Sequence, residues 1–158
     1  MSSNDVTEVA ATQVDFYHLH SDSVRQMQLF CCRLVDKAWQ LGHTVCILAT
    51  DAEQAGQLDD LLWTWRDDSF LPHGLAASSD SQRDPVIITH TVHDVVQTDL
   101  LVNVGNSSIT EDASLIAGAG RIAEIINQDP FVKQQGRIRY SYYDKGKYSL
   151  KYHEITSG

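Results

Sequence analysis

The feature that most constrains the fold is the alternation of strand-like and helix-like segments along the chain. Residues 13–19 alternate apolar and polar side chains, as a strand with one buried face does. Asp22 then opens a helical pattern, with apolar residues every three or four positions, which ends at Gly42. Residues 43–49 form a β-rich apolar run, typical of a strand buried on both faces.

A second helix follows that strand and repeats the alternation. Thr50 or Asp51 can cap it, with Glu53 or Gln54 at the capping-box position. Three further strands are predicted, at residues 86–89, 99–104 and 121–127. Together these segments predict an α/β fold: a single three-layer, Rossmann-like domain with a mostly parallel central sheet and no dinucleotide site.

The composition fits one globular domain in a reducing compartment. The chain has 158 residues, of which 42% are hydrophobic and 21% charged. We expect a flexible extension at residues 1–12, the α/β domain at 13–152 and a short tail at 153–158. Three cysteines, two of them adjacent, form neither a disulfide framework nor a CxxC pair, which favours a cytoplasmic location. No apolar run has the ~20 residues of a membrane-spanning helix.

Positive charge is concentrated near the end of the chain. Residues 131–151 contain six of the twelve basic residues and one acid, whereas the whole chain has a net charge of −9. A cationic segment on an acidic protein offers a local anion site. The expected partner is a carboxylate or an acidic peptide, because a nucleic acid would be repelled by most of the surface.

Both ends of a helix are marked within this segment. Asp129 is a good N-cap, Pro130 suits the first helical position, Lys145 lies in the last turn and Gly146 suits the position after the helix. At about 100° per residue, the side predicted to pack on the domain carries Phe131, Ile138 and Tyr142. The opposite side, predicted to recognise a partner, carries Lys133, Arg137 and Tyr140. An ordinary solvated basic face is the alternative interpretation.

Two patterns suggest catalytic chemistry only weakly. Residues 118–123 fit G-x-G-x-x-A, but they lie too late in the chain for a dinucleotide fingerprint and are better explained by a turn that feeds an edge strand. His18 and His20 share one face of the first strand, and His90 and His93 are further candidate ligands, yet no third ligand stands at a diagnostic spacing. We therefore expect no tightly bound metal or nucleotide, no cofactor and no enzymatic activity.

Two aromatic residues are predicted to lie on the surface near the end of the second helix. Trp63 falls off the apolar stripe of that helix, and Phe70 lies in a polar turn. Exposed aromatic side chains are favoured anchors for a protein partner. Alternatively, both side chains can pack against the edge of the domain itself.

The order and spacing of several segments resemble the chi subunit (HolC) family of bacterial DNA polymerase III over residues 13–150. The resemblance rests on Phe16-Tyr17, on Leu62-Trp63 followed by residues 69–73, on residues 99–104 and 124–126, and on Arg137-Ile138-Arg139-Tyr140. It implies a non-catalytic accessory subunit of the clamp loader, active in DNA replication, without direct contact to nucleic acid or membrane.

The resemblance also implies two partners. One is the acidic C-terminal tail of single-stranded DNA-binding protein, whose terminal carboxylate and aromatic side chain would meet Lys133, Arg137 and Tyr140. The other is the psi subunit, bound as a 1:1 heterodimer through Trp63 and Phe70. Family members usually carry alanine in place of Gly136, and often a basic residue in place of Ser141 or Asp144. A small α/β enzyme with a metal or nucleotide site near His18 and His20 remains the alternative.

Overall fold

The structure is a computed structural model that describes residues 12–66, 71–76, 84–105, 116 and 118–156. The helices in these ranges are α1 (Val24–Gln40), α2 (Ala52–Thr64) and α3 (Pro130–Lys145). The strands are β1 (Gln13–Leu19), β2 (Val45–Leu48), β3 (His73–Leu75), β4 (Val86–Thr89), β5 (Leu100–Asn103), β6 (Arg121–Ile126) and β7 (Ser149–Ile155). No helix within the described ranges is both long and apolar enough to cross a membrane.

The described strands form one parallel sheet in the order β3-β4-β2-β5-β6-β1-β7. Apolar side chains of α1 and α2 pack on one face of the sheet, and those of α3 pack on the other, so the domain has three layers. The predicted α/β class and central parallel sheet are confirmed. The short β3 and the final β7 were not expected, and β7 runs past the domain end predicted at residue 152.

The helix ends follow the capping chemistry of the sequence. Gln54 donates its backbone N–H to Asp51 Oδ1 at 2.8 Å, and two backbone N–H groups of α3 donate to Asp129 Oδ1 at 3.0 and 3.1 Å. At α1 the cap is Ser23, one residue after the predicted Asp22. Gly42 follows α1 with φ 88°, in the left-handed region that favours glycine.

Two sequence predictions about packing are wrong. The strand after residues 118–120 is β6, which pairs with both β5 and β1 and so lies inside the sheet instead of at its edge. The packing side of α3 was also misassigned, because Phe131 and Ile138 are each 57% exposed and Tyr142 is 37% exposed. The buried residues of the helix are instead Gly136, Arg139 and Tyr143.

A buried ion pair explains the true orientation of α3. Arg139 Nε donates to Glu124 Oε1 of β6 at 2.8 Å, and both side chains are almost fully buried. The Tyr143 hydroxyl donates to the second carboxylate oxygen at 2.9 Å. Burial raises the pKa of the Glu124 carboxyl, and the Arg139 guanidinium offsets part of that effect. A charged residue therefore occupies the inner face where the hydropathy pattern predicts apolar ones.

The three cysteines are free and buried in the core. Burial raises the pKa of Cys32 to about 12 and that of Cys46 to about 11. Both thiols are therefore protonated near neutral pH and serve as small apolar core residues.

Removing one member of the buried ion pair should destabilise the domain strongly. We expect Arg139→Met or Glu124→Leu to lower the free energy of unfolding by about 3–5 kcal/mol, because each leaves the partner group without its counterpart. Urea denaturation measures this loss. The double variant Arg139→Met, Glu124→Leu should recover a large part of it, and a double variant as unstable as the sum of its parts would contradict this account.

Candidate functional site

A surface pocket of about 510 Å³ lies between α3 and the β1–β7 edge of the sheet. The parallel register places Phe16 beside Tyr152 and His18 beside Glu154, so side chains of both strands face α3. Its lining residues come from β1, β6, α3 and β7: Phe16, His18, Ile126, Lys133, Gly136, Arg137, Tyr140, Ser141, Asp144 and Tyr152.

Aromatic rings form much of the pocket wall. Phe16 and Tyr140 meet edge to face with ring centroids 5.1 Å apart, and Tyr140 meets Tyr152 in the same way at 6.2 Å. Phe16 is fully buried, whereas Tyr152 is 46% exposed. The pocket thus offers apolar ring surface to a ligand, with the Tyr140 and Tyr152 side chains accessible from solvent.

The three residues predicted to recognise a partner all line this pocket. Within the described residues, no hydrogen bond or ion pair engages the Arg137 guanidinium, which therefore keeps its full set of donors for a ligand. Lys133 Nζ donates a long hydrogen bond, 3.4 Å, to Gln128 Oε1. Arg139, two residues from Arg137, is occupied by Glu124 and contributes nothing to the pocket surface.

His18 is one of the residues that line the pocket. Its Nδ1 hydrogen-bonds with the Tyr152 hydroxyl, and its Nε2 is 3.3 Å from the Gln128 side-chain nitrogen. Burial lowers the pKa of His18, and the nearby His20 and Lys133 lower it further. The imidazole is therefore mainly neutral near pH 7.

The other predicted histidines are not part of this group. His18 and His20 do share one face of β1, with ring centroids 5.4 Å apart. His90 follows β4, which lies four strand positions from β1, or roughly 19 Å away. His90 and His93 are thus too distant to complete a metal site with His18 and His20, because neighbouring strands in the chain are not neighbours in the sheet.

Trp63 lies on a different part of the molecule, near the β3 edge. Its side chain is 53% exposed, as predicted, and its ring contacts the His73 ring with centroids 4.3 Å apart. His73 is buried, and its Nδ1 and Nε2 lie 2.7 and 3.0 Å from backbone carbonyl oxygens of Leu71 and Asp59. Trp63 therefore packs on a histidine ring that the backbone holds in place. Phe70 lies outside the described residues.

Comparison with known proteins assigns the chain to a family. The model of the family described as DNA polymerase III chi subunit, HolC, matches residues 11–151. The chain belongs to the chi subunit (HolC) family. It is 30% identical to the DNA polymerase III subunit chi of Pseudomonas aeruginosa over 144 residues, covering 91% of this chain and 97% of that protein.

Other similarities agree with this assignment. The chain is 26% identical to the Escherichia coli DNA polymerase III subunit chi over 140 residues, covering 85% of this chain and 92% of that one. A DEAD box protein from Methanococcus jannaschii has a similar fold, with a TM-score of 0.60 and 15% identity. That similarity covers 90% of this chain and 42% of the DEAD box protein, and it indicates the fold alone.

Gly136, where the family resemblance implies an alanine, has a close neighbour in the structure of this chi-family chain. Gly136 lies in the floor of the pocket against β6. A Cβ atom at this position would approach Ile126 Cγ2 to 2.9 Å, which is closer than packed carbon atoms allow. Glycine lets α3 lie close to the sheet, and alanine would require α3 or Ile126 to move.

Several residues in or beside the pocket of this chi-family protein were not found by sequence reasoning. Tyr152 and Glu154 lie on β7, whose mixture of polar and aromatic residues gave no clear strand signal. Phe16 contributed only to the family resemblance, and His18 was considered only as a metal ligand. Phe16 and His18 share a face of β1 because side chains alternate along a strand. The pairing of β1 with β7 cannot be read from that alternation.

A pair of glycine variants tests the close approach of α3. Gly56 in α2 has open space around its Cα, so Gly56→Ala should raise the free energy of unfolding by about 1 kcal/mol through helix propensity. Gly136→Ala should lose that benefit or lower stability, because the added methyl group clashes with Ile126. Urea denaturation compares the two variants with wild type. Equal stabilisation by both would show that the helix tolerates a side chain at position 136.

Proposed function

We propose that this chi-family protein is a non-catalytic connector of the DNA polymerase III holoenzyme. In this proposal the pocket beside α3 binds the acidic C-terminal tail of single-stranded DNA-binding protein, and the Trp63 surface binds the psi subunit in a 1:1 complex. The observation that carries the proposal is the convergence of Lys133, Arg137 and Tyr140 on one aromatic-lined pocket.

The chemistry of the pocket suits a peptide that ends in an aromatic residue. The Arg137 guanidinium is planar and free to bind a terminal carboxylate through two parallel hydrogen bonds. Lys133 adds a point charge that attracts acidic side chains, and the rings of Tyr140 and Tyr152 supply apolar contact for an aromatic side chain. A nucleic acid strand would bring far more negative charge than two accessible cations neutralise on a protein of net charge −9.

The two proposed surfaces are far enough apart to be used together. Trp63 contacts His73 of β3 at one edge of the sheet, and the pocket lies at β1 and β7 near the other edge. Five strand spacings separate β3 from β1, roughly 24 Å. The helices involved also lie on opposite faces, because α2 packs on one side of the sheet and α3 on the other.

Variants of the pocket should separate geometry from charge in tail binding. Arg137→Lys keeps the charge but loses the planar fork, so we expect a labelled tail peptide to bind about 1 kcal/mol more weakly. Lys133→Ala should cost less and lose its effect at high salt, since an exposed charge is screened. Tyr140→Ala should weaken binding at low and high salt alike, because its contribution is apolar.

Fluorescence titrations at two ionic strengths measure these effects. Lys37→Ala is the matched control, because Lys37 is exposed on α1, across the sheet from the pocket, and its loss changes the net charge equally. A peptide lacking its terminal aromatic residue is the second control. If Arg137→Ala binds the peptide as tightly as wild type at both salts, the pocket is not the tail site.

Replacing Trp63 should weaken psi binding without unfolding the domain. We expect Trp63→Ala to cost about 2 kcal/mol of binding free energy, as for an exposed aromatic anchor, and Phe70→Ala to weaken binding in the same direction. Calorimetry with purified psi measures the affinities, and the melting temperature of the free domain is recorded in parallel.

The matched control for this surface is Leu41→Ala at the end of α1. Leu41 is 67% exposed, so its replacement removes a comparably accessible apolar side chain elsewhere. Should Trp63→Ala bind psi like the control, or lower the melting temperature by about 10 °C, the assignment of this surface fails.

A further inference from the structure

Two histidines and a glutamate converge beside the pocket. They are His18, near the carboxyl end of β1, His20 just after it, and Glu154 on β7. One ring nitrogen of each histidine and one carboxylate oxygen all lie within 4.8 Å of one another. His20 Nε2 and Glu154 Oε1 are already 3.2 Å apart. The sequence spacing revealed only the histidine pair, and the fold supplies the third group.

The topology places this cluster where parallel sheets commonly bind ligands. The chain leaves β1 toward α1 on one face of the sheet and leaves the neighbouring β6 toward α3 on the other. Such a reversal opens a crevice between the carboxyl ends of β1 and β6. His18 borders it from β1, and Glu154 lies on β7 at the other side of β1. The register then pairs His18 directly with Glu154, and the backbone N–H of His20 donates to the Ile155 carbonyl at 3.0 Å. Strand pairing therefore holds the backbone of all three residues.

We propose that His18, His20 and Glu154 bind one divalent transition metal ion of the Zn²⁺ class. Two imidazoles and a carboxylate are an established ligand set for Zn²⁺, with a fourth position left to water or another ligand. In a tetrahedral site with metal–ligand distances of about 2.0–2.2 Å the ligand atoms are roughly 3.4 Å apart, so a donor pair near the 4.8 Å limit must close by about 1.4 Å. His20 and Glu154 can do so, because their side chains are 39% and 59% exposed.

The surroundings of His18 support ligation. The Tyr152 hydroxyl contacts its Nδ1, and Gln128 lies 3.3 Å from its Nε2, so whichever nitrogen binds the ion, the other keeps a neighbour that orients the ring. The positive charges of Lys133 and Arg137 disfavour positive charge at this imidazole, and the Glu154 carboxylate favours it. The single carboxylate leaves a bound divalent ion with positive charge, so the site favours an anionic fourth ligand.

The position of the ion has a consequence that rests on the proposed function. His18 lines the tail pocket, so a metal ion held there stands beside the cations proposed to bind the peptide. A terminal carboxylate can then fill the fourth position. Bound Zn²⁺ should therefore increase the affinity for the acidic peptide, and the peptide should increase the affinity for Zn²⁺.

Zinc titration of the untagged, chelator-treated full chain tests the site directly, without peptide. Competition against a chromogenic chelator should show one Zn²⁺ per protein, and His20→Ala and Glu154→Gln should each weaken binding at least about tenfold. Both residues are exposed, so the variants should fold, which circular dichroism verifies. His43→Ala is the matched control, because it removes an exposed histidine away from the cluster.

Visible absorption of bound Co²⁺ provides a second measurement, since it reports the ligands and coordination number directly. Absence of stoichiometric Zn²⁺ binding, or equal binding by His20→Ala, Glu154→Gln and His43→Ala, would overturn the site. Peptide titrations with and without Zn²⁺ then test the coupling. A peptide that never binds counts against the proposed function alone, whereas peptide affinity that ignores bound Zn²⁺ overturns the coupling.

Discussion

The buried ion pair between Arg139 and Glu124 determines how the rest of the α3 surface is used. A charged pair withdrawn from water tolerates little displacement, because each partner left alone would be a buried charge. The pair therefore fixes the rotation of α3 about its axis. Lys133 and Arg137 consequently line the pocket, while Phe131 and Ile138 remain exposed. Gly136 sets the distance between α3 and β6, because a residue without a Cβ atom lets the helix approach the strand closely.

The parallel register of β1 and β7 provides the other half of the pocket. It aligns Phe16 with Tyr152 and His18 with Glu154 on the face that α3 covers only in part. Aromatic surface, two accessible cations and the histidine cluster are thereby collected at one corner of the sheet. None of these groups is unusual by itself. Their proximity is the reason we propose an acidic peptide with an aromatic end as the ligand.

The sequence predicted the fold class and most elements, because caps and hydropathy periods are local properties. Asp51 and Asp129 cap the helices as expected. Lys133, Arg137 and Tyr140 were found from helix phase and family resemblance, and they do share a pocket. The inner face of α3 was mispredicted, since an ion pair replaces the apolar contacts that a hydropathy pattern implies. Tyr152 and Glu154 escaped notice because their proximity to β1 depends on long-range strand pairing.

If the proposed function holds, the placement of Trp63 and the pocket beside α3 near opposite edges of one sheet has a kinetic consequence. A partner held at one edge does not obstruct the other, so a second partner captured there is tethered within a few nanometres of the first. Such tethering replaces bulk concentration by an effective local concentration, which reaches the millimolar range for short connections. Even a weak, rapidly exchanging peptide contact would then keep two large assemblies together while allowing each contact to break and re-form.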